Sequence, residues 1–336
     1  MPKKIVFFNH YHRGDLLTSR EFIRQIKNEL PTFEFEYLHF NHPKLTRDLD
    51  IPKVGEPSTL DHKTPFYQEE DTLYINTWIG CFWDIFCEHG GINMHSLYAT
   101  WGKILETLNA YFETDITLRQ EKESYLPRID YDRYNISSVA NYLATSEAIG
   151  RVLICNGPPK SGQSFTYNMQ DFINPIAEKN PTVDFVCTTK FDTTHPNVLF
   201  TDDLIKDNEV EDKRAPWEDR DVNNCDLFEI SFLSQYCDAI VGKNSGPFVF
   251  CETYDNYMDP KLKFLSYNVS WGPAFHTGQT RPTETMSNGL DIKCKFDIVA
   301  ISDINNLTDD DKQRITTSLE NLVANLEDEN ETDETA

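Results

Sequence analysis

Apolar residues are grouped along the chain in short runs that alternate with amphipathic segments. The first run, Ile5 to Phe8, stops at a polar cluster. The apolar positions that follow recur near helical spacing: Leu16, Leu17, Phe22, Ile23 and Ile26. The pattern thus predicts a strand, a loop and a helix. Further elements predicted in this half are strands at 33–40 and 72–75, a proline-rich excursion over 41–70, and helices at 97–112 and 137–149.

The same alternation begins again near residue 150. Strands are predicted at 151–155, 183–187, 239–241, 263–265 and 298–301, with helices at 165–179, 226–236 and 308–326. Strands that alternate with helices favour parallel α/β sheets. We therefore predict two Rossmann-like α/β domains, at 1–148 and 151–305. A terminal helix at 306–326 is expected to pack back on the first domain, and residues 327–336 are expected to form a disordered acidic tail.

Charge and cysteine usage narrow the function classes. The chain has 55 acidic and 31 basic residues, for a formal net charge of −24. Such a surface disfavours nucleic acid and anionic membranes as partners, so an anionic ligand needs a local basic or dipolar pocket. The 8 cysteines form no C-x-x-C pair, and we find no signal peptide or membrane-spanning run. We expect a cytoplasmic protein without a transmembrane segment.

The first candidate site follows the first predicted strand. Ligands of open α/β sheets bind outside the carboxyl ends of the strands. The segment contains His12, Arg13 and Asp15, our candidate catalytic residues, with Asp15 as a general base and Arg13 or Arg20 holding an anion. The structural alternative is a Gly14 turn followed by an Asp15 helix cap.

A second interpretation of this segment is a metal site. His10 and His12 stand two residues apart after the first strand, as in metal-dependent hydrolases of the barrel type. The other histidines are only loose candidates for the remaining ligands, since they form neither an H-x-x-x-H pair nor a second H-x-H pair.

The loop over 157–164 lies between a predicted strand and a helix. Gly157 and Gly162 have the spacing of a P-loop, but Gln163 occupies the position of its essential lysine. The weaker prediction is an anion site at a helix amino terminus that includes Lys160 and Ser161. An ordinary αβ loop is the alternative.

The third candidate site lies in the segment 226–247. A helix leads into a short strand and then into a turn that begins another helix. Lys243, Ser245 and the Gly246 amide are predicted to face a ligand at the positive end of that helix.

Two of these segments resemble the GT-B glycosyltransferases, particularly the heptosyltransferase-like (family 9-like) group, and the fucosyltransferase-like enzymes carry comparable elements. The turn Asn244-Ser245-Gly246-Pro247 is similar to that group's donor-site turn, and Gly14-Asp15 is similar to its amino-terminal G-D element. The family turn usually begins with Asp and is followed by a small residue or Met and then His. Here Asn244 replaces the Asp, and Phe248-Val249 follow.

The resemblance implies two Rossmann-like domains that face a central cleft, with the acceptor bound by the first domain and a nucleotide sugar by the second. It implies metal-independent sugar transfer without a cofactor, with Asp15 as the base. The acceptor is a glycan, a lipid-linked molecule or a protein. The donor diphosphate is expected to contact Lys160 or Lys190, together with Ser245 and Gly246. Glu229 either binds the ribose or base or faces solvent. A catalytically silent nucleotide- or sugar-binding protein is the further alternative.

Overall fold

A computed structural model of the chain describes residues 3–11, 13–89, 93–157, 169–205, 226–242, 245–269, 290–301 and 307–333. Its strands are β1 (Lys4–Asn9), β2 (Glu34–His39), β3 (Lys53–Gly55), β4 (Phe66–Glu69), β5 (Thr72–Asn76), β6 (Gly150–Cys155), β7 (Val183–Cys187), β8 (Val198–Phe200), β9 (Ala239–Gly242), β10 (Lys263–Val269) and β11 (Lys295–Ile301). Its helices are α1 (Arg13–Thr18), α2 (Arg20–Glu29), α3 (Trp83–Glu88), α4 (Met94–Phe112), α5 (Ser137–Thr145), α6 (Gln170–Lys179), α7 (Thr201–Leu204), α8 (Leu227–Ser234), α9 (Gly246–Cys251), α10 (Tyr254–Met258) and α11 (Asp309–Asp333). Short 3₁₀ helices occur at Pro43–Leu49, Ile79–Phe82, Lys122–Tyr125 and Tyr131–Arg133.

The chain divides into two compact units, each built on one sheet. Among the described residues, the first unit comprises 3–133 and 290–292, and the second comprises 134–205, 226–269, 293–301 and 307–333. The predicted α/β class with two sheets is confirmed.

The sheet of the first unit has the strand order β3-β2-β1-β5-β4. β1 pairs in parallel with both β2 and β5, and only β4 is antiparallel to its neighbour. Ile5 to Asn9 are all buried, as expected for a central parallel strand that is covered on both faces. Trp101 of α4 stacks on Phe22 of α2 with ring centroids 5.5 Å apart, which ties two helices of this unit together.

The sheet of the second unit is wholly parallel, with the order β11-β10-β9-β6-β7-β8. β6 lies at its centre between β9 and β7, and its residues Val152 to Cys155 are fully buried. The prediction missed the short strands β3, β4 and β8, which have three or four residues each. Runs of that length carry too few residues for a clear period.

The boundary between the units lies earlier than the predicted residue 148. Tyr134 stacks on Phe228 of α8 with ring centroids 4.0 Å apart, and the Tyr142 hydroxyl donates to an Asp184 carboxylate oxygen at 2.6 Å. Residues 134–148 therefore belong to the second unit, because their aromatic side chains pack there.

The terminal helix differs from the prediction in both its packing and its length. The apolar stripe of α11 lies in the same core cluster as β6, β7 and β9: Ile315, Leu319, Leu322, Val323 and Leu326. The helix therefore covers the second sheet and belongs to the second unit, where the sequence predicts packing on the first domain. It also extends to Asp333, so residues 327–333 are helical where the sequence predicts a disordered tail.

Candidate functional site

The carboxyl ends of β1 and β5 place polar side chains side by side in the first unit. The Thr77 amide donates to the Phe8 carbonyl at 2.9 Å, which continues the parallel pairing one residue beyond β5. Asn9, at the end of β1, is fully buried, and its side-chain nitrogen donates to the Thr77 hydroxyl at 3.2 Å. The polar groups that follow the two strands thus converge at one edge of the sheet, where ligands of such sheets bind.

Asp15 lies at this edge, in the first turn of α1, with only 7% of its surface exposed. Burial raises the pKa of its carboxyl to about 8, although hydrogen bonds from the Ile79 amide and the Asn9 side chain act in the opposite direction. Its Oδ2 is buried and has no hydrogen-bond partner among the residues that the structure describes. Since buried polar atoms are nearly always paired, this oxygen is suited to take a proton or a hydrogen bond from a ligand.

Of the two other predicted catalytic residues, the structure describes Arg13 but not His12. Arg13 is the first residue of α1 and is half-buried, whereas His12 lies outside the described residues. Arg20, considered as a possible anion ligand, is fully buried and forms an ion pair with Asp48. Its Nη2 also donates to the Leu45 carbonyl at 2.5 Å. Arg20 therefore stabilises the fold and does not serve as a free anion ligand.

Asn9, Asn76 and Thr77 were not predicted as site residues, yet they organise this edge. The Asn9 side-chain oxygen accepts from the Tyr11 amide at 2.8 Å, and that of Asn76 accepts from the Trp78 amide at 2.9 Å. Both asparagines are fully buried. Their place immediately at the end of a predicted strand was the available signal.

The metal hypothesis rests on His10 and His12. His10 Nε2 lies 2.9 Å from both the Pro57 and the Leu60 carbonyl oxygens, so it carries a proton that it donates to them. Only Nδ1 of His10 is then left to bind a metal ion. No cluster of three or more His, Cys, Asp or Glu side chains in the described part of the chain is arranged to hold one. The pair itself stays a prediction, because His12 is not described.

In the second unit, the carboxyl ends of β6 and β7 are joined by Asn156. Its side chain donates to the Thr189 carbonyl at 2.9 Å and accepts from the Thr189 amide at 2.9 Å. A Cβ on Gly157 would lie 2.7 Å from the Thr189 hydroxyl oxygen, so a larger residue there would displace the Thr189 side chain. Asn156 thereby fixes where the loop after β6 begins.

Lys190 follows β7 and is exposed. Its Nζ lies 2.6 Å from an Asp203 carboxylate oxygen, and this contact raises the pKa of the lysine. Exposed ion pairs contribute little to stability, so the lysine can exchange Asp203 for another anion at small cost. The other predicted phosphate ligands after β6 and β9 lie outside the described residues: Lys160, Ser161, Lys243 and Asn244.

Ser245 and Gly246 lie where β9 leads into α9. Ser245 is buried, and its hydroxyl neither caps α9 nor has a hydrogen-bond partner within the described ranges. Ser266 of β10, which is in register with Gly242 of β9, likewise has a buried hydroxyl without a described partner. A Cβ on Gly246 would lie 3.8 Å from Leu227 of α8, so the two helices pack closely there. The hydroxyls of Ser245, which follows β9, and of Ser266, in the neighbouring strand β10, are thus both able to form a hydrogen bond with a ligand.

Glu229 is fully buried within α8. The alternative that it faces solvent is therefore wrong. Whether it contacts a ribose or a base stays a prediction.

No family model matches the chain, and no curated protein matches it. It is similar to the solved structure of a glycosyl transferase family 9 protein from Veillonella parvula, with 11% identity, a TM-score of 0.44, and 96% of this chain and 98% of that chain covered. It is similar to E. coli ADP-heptose lps heptosyltransferase II, with 12% identity, a TM-score of 0.47, and coverage of 96% and 99%. It is also similar to a putative UDP-N-acetylglucosamine 2-epimerase from Listeria monocytogenes, with 10% identity, a TM-score of 0.43, and coverage of 97% and 89%. At these identities and TM-scores, the likeness assigns no activity to this chain.

Over the described residues, no helix combines the length and the apolar character that a membrane span requires.

Proposed function

We propose that this protein is a glycosyltransferase that moves a sugar from a nucleotide-sugar donor to an acceptor hydroxyl, with Asp15 as the general base and without a metal ion. The observation that carries the proposal is the buried Asp15 carboxyl at the carboxyl end of β1, with one oxygen that no described residue satisfies. The sequence resemblance of Gly14-Asp15 and of Asn244-Ser245-Gly246-Pro247 to the GT-B group supports it.

The chemistry expected of Asp15 follows from its surroundings. An acceptor hydroxyl becomes a better nucleophile as it passes its proton to a base within hydrogen-bond reach. A carboxylate with a pKa of about 8 is a stronger base than an ordinary aspartate, and it holds that proton more firmly once transfer is complete. The proton moves from the acceptor oxygen to Asp15, the new bond forms at the anomeric carbon, and the nucleoside diphosphate departs.

We assign the donor to the second unit. Ser245 and Ser266 offer buried hydroxyls without described partners, and Lys190 offers an exposed cation that is paired with Asp203. Such donors stabilise the negative charge that develops on a departing diphosphate. Lys160, Ser161, Lys243, Asn244, Gly246 and Glu229 complete the proposed donor contacts, and Arg13 and His12 are proposed to assist Asp15.

The experiment that tests the proposal compares wild type with Asp15→Asn. Loss of a general base lowers the rate by about 100-fold or more, measured as sugar transfer or slow donor hydrolysis across a panel of nucleotide sugars. The matched control is Asp84→Asn, which removes an exposed carboxylate from the first turn of α3 and is expected to keep full activity.

Three results would contradict the proposal, and each favours a different alternative. The first is full turnover by a folded Asp15→Asn variant, which favours a base other than Asp15. The second is a thermal shift with Zn²⁺ or Mn²⁺ but with no nucleotide, which favours the metal-dependent hydrolase. The third is nucleotide binding without turnover on any acceptor, which favours the silent binding protein. A ligand at about 100 times its Kd stabilises a protein by roughly 2.7 kcal/mol, so these shifts are readily measured.

A further inference from the structure

Three aromatic rings form a half-buried cluster at the same edge of the first sheet as Asp15. The ring centroids of Tyr11 and Trp78 are 4.5 Å apart with planes inclined by 49°, those of Tyr11 and His62 are 5.3 Å apart at 89°, and those of His62 and Trp78 are 5.5 Å apart at 58°. We call Tyr11, His62 and Trp78 the ring platform. All three are partly exposed, whereas Trp101 of the same unit is only 2% exposed and packs in the core.

Buried asparagines hold the platform in place. The Asn76 side chain accepts from the Trp78 amide at 2.9 Å and donates to the His62 carbonyl at 2.8 Å, so it joins two of the three segments that carry the rings. Asn9 accepts from the Tyr11 amide at 2.8 Å and fixes the third. The rings are therefore preorganised by strand ends and do not depend on packing against one another alone.

The backbone that carries Trp78 also contacts the proposed base. The amide of the next residue, Ile79, hydrogen-bonds the Asp15 carboxyl. A Cβ on Gly80 would lie 2.2 Å to 2.7 Å from three atoms of the indole ring, so Gly80 leaves the space in which the indole lies. One short segment, 78–80, thus positions both the indole of the ring platform and the Asp15 carboxyl.

The Asp61 carboxylate next to the ring platform makes some ligands with a flat face more favourable than others. An Asp61 carboxylate oxygen lies 3.7 Å from His62 Nδ1, and Asp61 also acts on the hydroxyl of Tyr11, whose pKa is raised by burial and by this carboxylate. Carboxylates repel the phosphates of a nucleotide but accept hydrogen bonds from hydroxyl groups. A neutral ring that bears hydroxyl groups satisfies both the aromatic faces and the Asp61 carboxylate.

From this arrangement we infer that Tyr11, His62 and Trp78 form the acceptor subsite, that the indole face of Trp78 stacks the ring of a neutral saccharide while the inclined rings of Tyr11 and His62 contact its edge, and that the subsite presents a sugar hydroxyl to Asp15. The inference rests on the proposed function for the role of Asp15, and it adds the class of acceptor. It makes the acceptor a glycan without phosphate or carboxylate groups on the stacked ring.

Binding to an array of neutral and anionic glycans tests the inference, with no donor present. Wild type is expected to bind at least one neutral glycan, and Trp78→Ala to lose at least tenfold in affinity for it. Gly80→Ala keeps the indole but displaces it, so it is expected to lose affinity as well. The control is Trp83→Ala, which removes the exposed tryptophan at the start of α3, outside the platform, and is expected to retain affinity within twofold.

Each other outcome overturns the inference. These outcomes are no neutral glycan bound by wild type, exclusive binding of anionic glycans, unchanged affinity in both folded variants, or equal loss in Trp83→Ala. Circular dichroism establishes that the variants are folded, and Trp78→Phe keeps the test decisive if Trp78→Ala unfolds, because it retains a ring and is expected to lose less affinity.

A parallel titration with nucleotides separates this inference from the proposed function. Nucleotide binding and donor turnover without glycan binding overturn the ring platform and leave the transferase proposal standing. Glycan binding that depends on Trp78, without any nucleotide binding or turnover, supports the platform and contradicts the transferase.

Discussion

The two strand-end regions of the molecule differ in the kind of polar group that they leave unsatisfied. At the edge of the first sheet it is a carboxyl oxygen of Asp15, next to partly exposed rings. In the second unit it is the neutral hydroxyls of Ser245, which follows β9, and of Ser266 in the neighbouring strand β10. A buried carboxyl can gain or lose a proton near neutral pH, whereas an aliphatic hydroxyl there only donates and accepts hydrogen bonds. The first region is therefore suited to proton transfer and the second to holding a ligand.

The largest expected effect is on stability as a function of pH. Burial raises the pKa of Asp15 from its ordinary value of 3.8 to about 8 in the folded protein, so protonation of the carboxyl favours folding. That contribution is fully present below about pH 4 and is lost as the pH rises towards 8. Asp15→Asn lacks this titration. Its free energy of unfolding should therefore exceed that of wild type by an amount that grows by up to about 1.4 kcal/mol per pH unit across this window.

Denaturant unfolding of both proteins at pH 5, 7 and 9 measures this difference. A difference that stays constant with pH would show that Asp15 titrates normally and would remove the contrast between the two regions. Asp84→Asn is the control, since it removes an exposed carboxylate from the same unit.

The second effect is on the rate. If Asp15 acts as the base, only its ionised fraction is active, and that fraction rises about tenfold between pH 7 and pH 9 for a pKa of about 8. We expect kcat/KM for sugar transfer to rise by the same factor and then to level off. A profile that is flat from pH 6 to 9 would contradict the assignment of proton transfer to the first region.

The third effect concerns the second region. Ser245→Ala removes a hydroxyl without a described partner, so it should cost little stability but weaken nucleotide binding by about five- to tenfold, the equivalent of one hydrogen bond. Ser231→Ala is the matched control, because the Ser231 hydroxyl donates to the Phe250 carbonyl at 2.6 Å within the same unit. It should lower the free energy of unfolding by about 1 kcal/mol and leave nucleotide affinity intact.

If Ser245→Ala instead lowers the free energy of unfolding and leaves nucleotide affinity unchanged, the role of Ser245 is structural. Titration calorimetry with nucleoside diphosphates and denaturant unfolding of the two variants provide the two readouts.

The smallest effect is expected at Lys190, which is exposed and paired with Asp203. Lys190→Ala should weaken nucleotide diphosphate binding by about threefold at low ionic strength and less at high salt, because exposed charges are screened. An affinity that is unchanged at low salt would exclude Lys190 from the donor site.

The sequence predicted the strands of the fold more completely than the residues of the candidate site. The apolar runs that became β1, β6 and β7 were predicted nearly to the residue, because buried parallel strands are continuous apolar segments. Asp15 was predicted as a candidate base from its position after the first strand. The roles of Asn9 and Asn76 were not predicted, because a polar residue at a strand end has no distinctive sequence pattern until its partners are known.

Side-chain partners also corrected several individual predictions. Arg20 was a candidate anion ligand, but Asp48, which is 28 residues away along the chain, neutralises it in the core. The terminal helix was expected on the first domain, but its apolar stripe fits the second sheet. Both depend on contacts between distant parts of the chain, and periodicity reports only the local pattern.

The sequence by itself determined the α/β class, the restart of the pattern near residue 150 and the candidate base, since each follows from apolar spacing or from position after a strand. Only the tertiary structure decided that Asp15 is buried with a raised pKa, that Tyr11, His62 and Trp78 meet in one cluster, and that α11 belongs to the second unit. Burial, electrostatic surroundings and ring contacts are properties of the folded chain, because they depend on residues that are distant in sequence and adjacent only after folding.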